Sequence, residues 1–163
     1  MKKTACIFHD TASSLHDRRV FEIVEEAYGR REKVLIYADT RDRAAEIDRL
    51  LWILRQDSFI PHQILDHEQE TVSASVAIVA SEWTPFKGAV LIADGHCNIE
   101  FACGFDLIHE FVYRTSPEMQ ETCRSRFRAY RDKEIKVAVS LSGSELESSL
   151  GTPDRVQTAM RLG

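Results

Sequence analysis

Lys33-Val34-Leu35-Ile36-Tyr37-Ala38-Asp39-Thr40 joins a run of apolar, strand-forming residues to two short polar ones. A strand with one wet face alternates apolar and polar residues. This run does not, so both of its faces are covered, as in a parallel sheet flanked by helices. Asp39 and Thr40 carry the oxygen acceptors that cap the free N–H groups of a helix's first turn. Beyond them, Ala44, Ile47, Leu51 and Leu54 recur at helical spacing, while Arg41, Asp42, Arg43, Glu46 and Arg49 fall on the solvated side.

Outward from this unit the pattern repeats. Upstream, Cys6-Ile7-Phe8 reads as a short buried strand. It precedes a helix over residues 15–31 whose stripe is Val20, Ile23, Val24 and Ala27. Two strand–helix units with short connections predict an α/β fold. Downstream, Ser75-Val76-Ala77-Ile78-Val79-Ala80 and Gly88-Ala89-Val90-Leu91-Ile92-Ala93 are further strands, and His62-Gln63-Ile64-Leu65 is a shorter one. Residues 105–113 read as helical, with Leu107, Ile108, Phe111 and Val112 apolar. Ser116-Pro117 then caps and starts a helix reaching residue 133. The expectation is a single three-layer α/β domain, mostly parallel, with helices on both faces: a Rossmann-like topology over residues 1–137. Residues 138–163 form a C-terminal appendage, serine-rich after Val139. In it Thr152-Pro153-Asp154 is placed to cap one short helix over residues 155–162.

Composition narrows the function. The chain has 163 residues, 44% hydrophobic and 29% charged, as expected of one globular domain. Its formal net charge of -5 argues against holding nucleic acid over the whole surface, so any contact with DNA is local or indirect. The apolar run at the N-terminus stops at His9 and Asp10, too early for a signal peptide. No stretch approaches the length of a membrane span, so a cytoplasmic location is expected. Cys6, Cys97, Cys103 and Cys123 lack the spacing of zinc ligands and read as reduced thiols; no metal is expected.

The strand-to-helix turns His9-Asp10-Thr11-Ala12-Ser13-Ser14 and Asp39-Thr40-Arg41-Asp42 contain no glycine, and their carboxylates repel phosphate. Neither dinucleotide-binding nor P-loop chemistry fits, and no cofactor is expected. Asp94-Gly95-His96-Cys97 is the one local candidate for catalysis, a thiol with a base nearby in a small α/β enzyme. Asp and Gly are also what a strand-end turn needs for backbone reasons, which is the simpler reading. No catalytic residue is assigned.

Two segments stand out. Leu50-Leu51-Trp52-Ile53-Leu54 wraps apolar residues all around a helix end that runs on to Phe59-Ile60-Pro61-His62. One face cannot bury them all against one sheet. The pattern fits equally an apolar helix end packed inward or an exposed patch for a partner, anchored by Trp and Phe. In the last core helix, Met119, Cys123, Phe127 and Tyr130 make the buried stripe, and Arg124, Arg128 and Arg131 share an adjoining face. A solvated helix end with cations matched to its dipole is the simpler account. The alternative is a site for an acidic group.

Taken together, Ile47-Asp48-Arg49-Leu50-Leu51-Trp52, Asp57-Ser58-Phe59-Ile60-Pro61-His62 and Arg124-Ser125-Arg126-Phe127-Arg128-Ala129-Tyr130-Arg131 resemble the chi subunit family of bacterial DNA polymerase III, over about residues 1–137. The resemblance implies a non-catalytic adaptor of the clamp loader with two partners. The psi subunit would pack on Leu51, Trp52, Phe59 and Pro61. The acidic, phenylalanine-ended C-terminal tail of single-stranded-DNA-binding protein would bind at Arg124, Phe127, Arg128 and Arg131. The segment 33–52 also resembles, weakly, the opening of the second helicase domain. The ATP-contacting motifs of those enzymes are absent, so that likeness concerns fold alone.

Overall fold

A computed structural model describes residues 4–54, 59–68 and 72–141. In chain order the elements are β1 (Ala5–Asp10), a 3-10 turn (Ser13–Leu15), α1 (His16–Gly29), β2 (Val34–Tyr37), α2 (Arg41–Ile53), β3 (His62–Ile64), β4 (Val76–Val79), β5 (Val90–Ala93), α3 (Ile99–Ala102), β6 (Leu107–Phe111), α4 (Pro117–Asp132) and β7 (Lys136–Leu141). The seven strands lie in the order β3-β4-β2-β5-β6-β1-β7, every neighbouring pair parallel. Parallel neighbours demand crossovers, and the crossovers carry the helices that cover the sheet.

Side-chain alternation sorts the two faces. Val34 and Ile36 of β2, Val76 and Ile78 of β4, and Val90 and Ile92 of β5 pack with Val20, Val24 and Ala27 of α1 and with Ala44, Ile47 and Leu51 of α2. Leu35, Ala77, Leu91 and Ile108 point the other way, into a core closed by Ala102 of α3 and by Cys123, Phe127 and Tyr130 of α4. The three-layer expectation therefore stands. The predicted caps are in place: Thr40 Oγ1 accepts from Arg43 N at 3.0 Å, and Ser116 Oγ accepts from Met119 N at 3.1 Å ahead of Pro117.

Residues 105–113 are a correction. They hold β6 and not a helix. Leu107, Ile108, Phe111 and Val112 fit a helical stripe only because polar residues conceal the strand's alternation. Ile108 and Glu110 lie on one face, with Leu107, His109 and Phe111 on the other. His109 and Glu110 are both buried and both satisfied by partners, His9 of β1 and Arg126 of α4. Long-range pairing of β6 with β1 and β5 overrides the local pattern. β7 is a further strand that the residue pattern did not announce. It runs through Leu141, so the boundary expected at residue 137 falls inside a strand of the sheet. The rest of the expected appendage, with its short helix over 155–162, lies outside the described residues.

Candidate functional site

The end of α2 presents the first unusual surface. Trp52 is 54% exposed and Phe59 is 60% exposed, with their rings stacked at an angle 5.1 Å apart. Ile53 and Leu54 are exposed beside them. Packing within the domain gives no reason to gather four large apolar side chains in contact with water, and such patches mark interaction surfaces. His62 braces the pair from below. Its ring lies 4.9 Å from that of Trp52, its Nδ1–H donates to the Ile60 carbonyl at 2.8 Å, and its Nε2 stands 3.2 Å from Asp48 Oδ1, out of line for a hydrogen bond. Pro61 is half-buried at the patch's edge. Leu51 is different: it is only 5% exposed and belongs to the α1–α2 core, so it supports the patch from within and does not face solvent.

The second surface is the outer face of α4. Arg128 is 67% exposed, Arg131 is exposed, and Arg124 is half-buried. Glu121 sits among them, 3.5 Å from Arg124 and 3.7 Å from Arg128, and leaves the face with a cationic excess. Phe127 does not share this face. It is buried, its ring 5.5 Å from that of Phe8 on β1, and it fixes the helix to the sheet.

Beneath the arginine face lies a group that sequence reasoning missed. Arg126 is buried and reaches across to β6, donating from Nε to Glu110 Oε1 at 2.8 Å and from Nη1 to the Cys97 carbonyl at 2.6 Å. The Tyr130 hydroxyl donates to the same Glu110 oxygen at 2.8 Å. Burial, then the Glu110 carboxylate, drive the Tyr130 hydroxyl far above its usual range, so it remains a donor. One signal was available in the sequence: Arg126 stands three residues after Cys123 and four before Tyr130, on the buried stripe and not on the arginine face.

The Asp94-Gly95-His96-Cys97 turn is engaged structurally. Asp94 accepts from Arg43 Nε at 2.8 Å, from Arg43 Nη2 at 2.9 Å and from His16 Nε2 at 2.7 Å. Burial pulls its carboxyl upward, but the hydrogen bonds from Arg43 and His16 outweigh this and hold it below the usual carboxylate range. A Cβ on Gly95 would lie 2.1 Å from Asp39 Oδ1, which itself accepts from His96 N at 3.1 Å; only glycine fits there. Burial, then Glu110, push the Cys97 thiol up to about 12, away from the thiolate that nucleophilic chemistry requires.

The two surfaces lie at opposite borders of the sheet. Trp52 and His62 stand at β3, while α4 packs on β7 and on Phe8 of β1, against the other face. Residues 3–138 match the family described as DNA polymerase III chi subunit, HolC. The chain belongs to the DNA polymerase III chi subunit family. Among curated relatives of this chi-family chain, the DNA polymerase III subunit chi of Escherichia coli (strain K12) is 28% identical over 117 residues, 71% of this chain and 78% of that protein. Its counterpart from Pseudomonas aeruginosa PAO1 is 26% identical over 114 residues, 68% of this chain and 75% of that protein. The matched span takes in both surfaces and stops three residues short of the end of β7. Among the described residues, no helix of this chi-family chain is long and apolar enough to cross a membrane.

Proposed function

We propose that this chain is a non-catalytic adaptor in cytoplasmic DNA replication. It would carry the psi subunit of the clamp loader on Trp52, Phe59 and Pro61, and the acidic C-terminal tail of single-stranded-DNA-binding protein on Arg124, Arg128 and Arg131. The observation that carries the reading is the separation of the two surfaces. They occupy opposite borders of a seven-stranded sheet, about 29 Å apart at the usual strand spacing, so occupation of one leaves the other open. Their chemistry differs accordingly. The α2 patch is aromatic and suits a stable apolar interface. The α4 face is cationic and suits a short acidic segment held weakly. A net charge of -5 agrees with binding a DNA-binding protein in place of DNA.

The test is titration of a fluorescent peptide copying that acidic, phenylalanine-ended tail, at low and moderate salt, into the parent protein and Arg128→Glu. Binding that weakens with salt and drops about tenfold or more in the variant supports the assignment. Absence of binding at low salt by folded protein removes it.

A further inference from the structure

The chain leaving β1 turns to one face of the sheet with α1, and the chain leaving its neighbour β6 turns to the other face with α4. The two loops therefore part above the carboxyl ends of the strands, the place where open α/β sheets hold ligands. Here the parting is a crevice of about 450 Å³, a volume within the range of small-molecule sites. β2 and β5 part in the same way, but there the backbone at Gly95 closes on Asp39.

The polar groups of this crevice are held in place before any ligand arrives. His16 and Tyr113 line it, their ring centres 5.8 Å apart. The Tyr113 hydroxyl donates to the Asp94 carbonyl and His16 Nε2–H to the Asp94 carboxylate, which fixes both rings. Asp17, its side chain 40% exposed on the lining, accepts from Arg43 Nη2 through Oδ1 at 2.6 Å and keeps Oδ2 for a ligand. Both arginines of the lining are claimed. Arg114 donates from Nε to Asp10 Oδ1 at 3.0 Å and from Nη2 to Oδ2, while Arg43 is held by Asp17 and Asp94. Asp10, Asp17 and Asp94 thus outnumber the two guanidinium groups by one. α1, α2 and α4 all begin at this end of the sheet, and their dipoles offset that surplus. The balance has no spare cation for a phosphate and no strong pull on an ammonium group.

We propose that this crevice binds a ribonucleoside without its phosphate. The flat base suits the rings of Tyr113 and His16. A carboxylate held as Asp17 is accepts from ribose hydroxyls, the use that dinucleotide-binding α/β folds make of an acidic residue. Monosaccharides share the vicinal diol, but they offer no flat ring to the aromatic lining. Exclusion of phosphate agrees with the absence of glycine from the turn between β1 and α1. Neither Trp52 nor Arg128 lines the crevice, so the site is separate from both partner surfaces.

The experiment follows backbone amide resonances of the full chain during titration with adenosine, 2′-deoxyadenosine, ribose and adenosine monophosphate. Adenosine shifts signals of residues 10–17 and 112–115 with a Kd between about 0.1 and 1 mM, ordinary for about twenty non-hydrogen atoms. 2′-Deoxyadenosine binds about tenfold more weakly, because one hydroxyl bond to a carboxylate is lost. Asp17→Asn narrows that difference to about twofold or less. Ala12→Phe fills the crevice from an exposed position and abolishes the shifts, while an unchanged urea midpoint shows that it folds. No saturable shift at about 10 mM adenosine overturns the inference, as do shifts confined to other residues. Ribose binding as tightly as adenosine overturns it in favour of a sugar site, and tighter binding of the monophosphate in favour of an anion site. An undiminished preference for adenosine in Asp17→Asn overturns the assignment of the diol to that carboxylate.

Discussion

Arg126 and Glu110 form an ion pair inside the core, with Arg126 Nε 2.8 Å from Glu110 Oε1 and Glu110 only 1% exposed. The pair joins α4 to β6, and the bond from Arg126 to the Cys97 carbonyl extends the junction to the turn after β5. The surface that carries Arg124, Arg128 and Arg131 is thus held in register from beneath by a fourth, buried arginine.

Removing one member strands the other in a low-dielectric site. Arg126→Met leaves the Glu110 carboxylate with the Tyr130 hydroxyl as its remaining donor, and the expected loss is about 3–5 kcal/mol of stability. Glu110→Leu/Arg126→Met removes both charges and recovers part of that loss, though the Cys97 carbonyl and Tyr130 hydroxyl still lack their former partners. Urea unfolding of the three proteins checks this. A double variant no more stable than the worse single variant contradicts it.

On the opposite face of the sheet, His109 of β6 pairs with His9 of β1. Arg19 Nε donates to His9 Nδ1 at 3.2 Å, which leaves His9 Nε2 to carry the ring proton and donate to His109 Nδ1 at 2.8 Å. Both rings are therefore neutral in this arrangement. Burial, then the neighbouring His109 and Arg19, lower His9 to about 2; burial, then Arg19, lower His109 to about 4. With folded values below the unfolded 6.5, the unfolded chain binds more protons as pH falls. Stability is therefore full above pH 6.5 and declines below it, continuing toward pH 4 and beyond, by up to about 1.4 kcal/mol per pH unit for each ring. Urea midpoints from pH 8 to pH 4.5 measure the slope, which His109→Phe roughly halves.

These two buried pairs explain what could be read beforehand. β2, β4 and β5 are apolar on both faces, and continuous Val, Leu, Ile and Ala runs declare such strands directly. β6 is equally buried but places His109 and Glu110 in its middle, and nothing local says that partners on β1 and α4 satisfy them. Leu51 and Phe127 illustrate the converse. Each belongs to a segment of the right character, but helical phase turns both into the core while Trp52 and Arg128 face out. The segments were legible from composition and spacing. The orientation of single residues within them depended on how the helices seat on the sheet.

Trp52 and Leu51 are adjacent in sequence and separate cleanly in experiment. Leu51→Ala empties core volume and is expected to lose about 2–5 kcal/mol of stability. Trp52→Ala and Phe59→Ala remove exposed rings, so each changes stability by about 1 kcal/mol or less while weakening capture of psi by about thirtyfold or more. Urea unfolding beside co-elution with purified psi reads both quantities. Parallel loss of stability and binding in Trp52→Ala would mean that the patch is structural.

The order in which the four thiols react tests the role given to the Asp94-Gly95-His96-Cys97 turn. Cys97 is buried, its Sγ faces Arg126 Nη2 at 3.9 Å, and its thiol lies near 12. Arg126 lowers that value, but burial and the Glu110 carboxylate prevail, so proximity to a guanidinium does not activate this sulfur. Burial raises Cys6, Cys123 and Cys103 alike, but Cys6 and Cys123 are enclosed whereas Cys103 is half-exposed next to α3 and open to a reagent. An aromatic disulfide reagent at pH 7.5 should therefore label Cys103 first. Cys97 should react only at the rate of unfolding, and faster in Arg126→Met, where the pair that seals it is broken. Should Cys97 outpace Cys103 in the native protein, the turn would be an activated thiol site and the case for an enzyme would reopen.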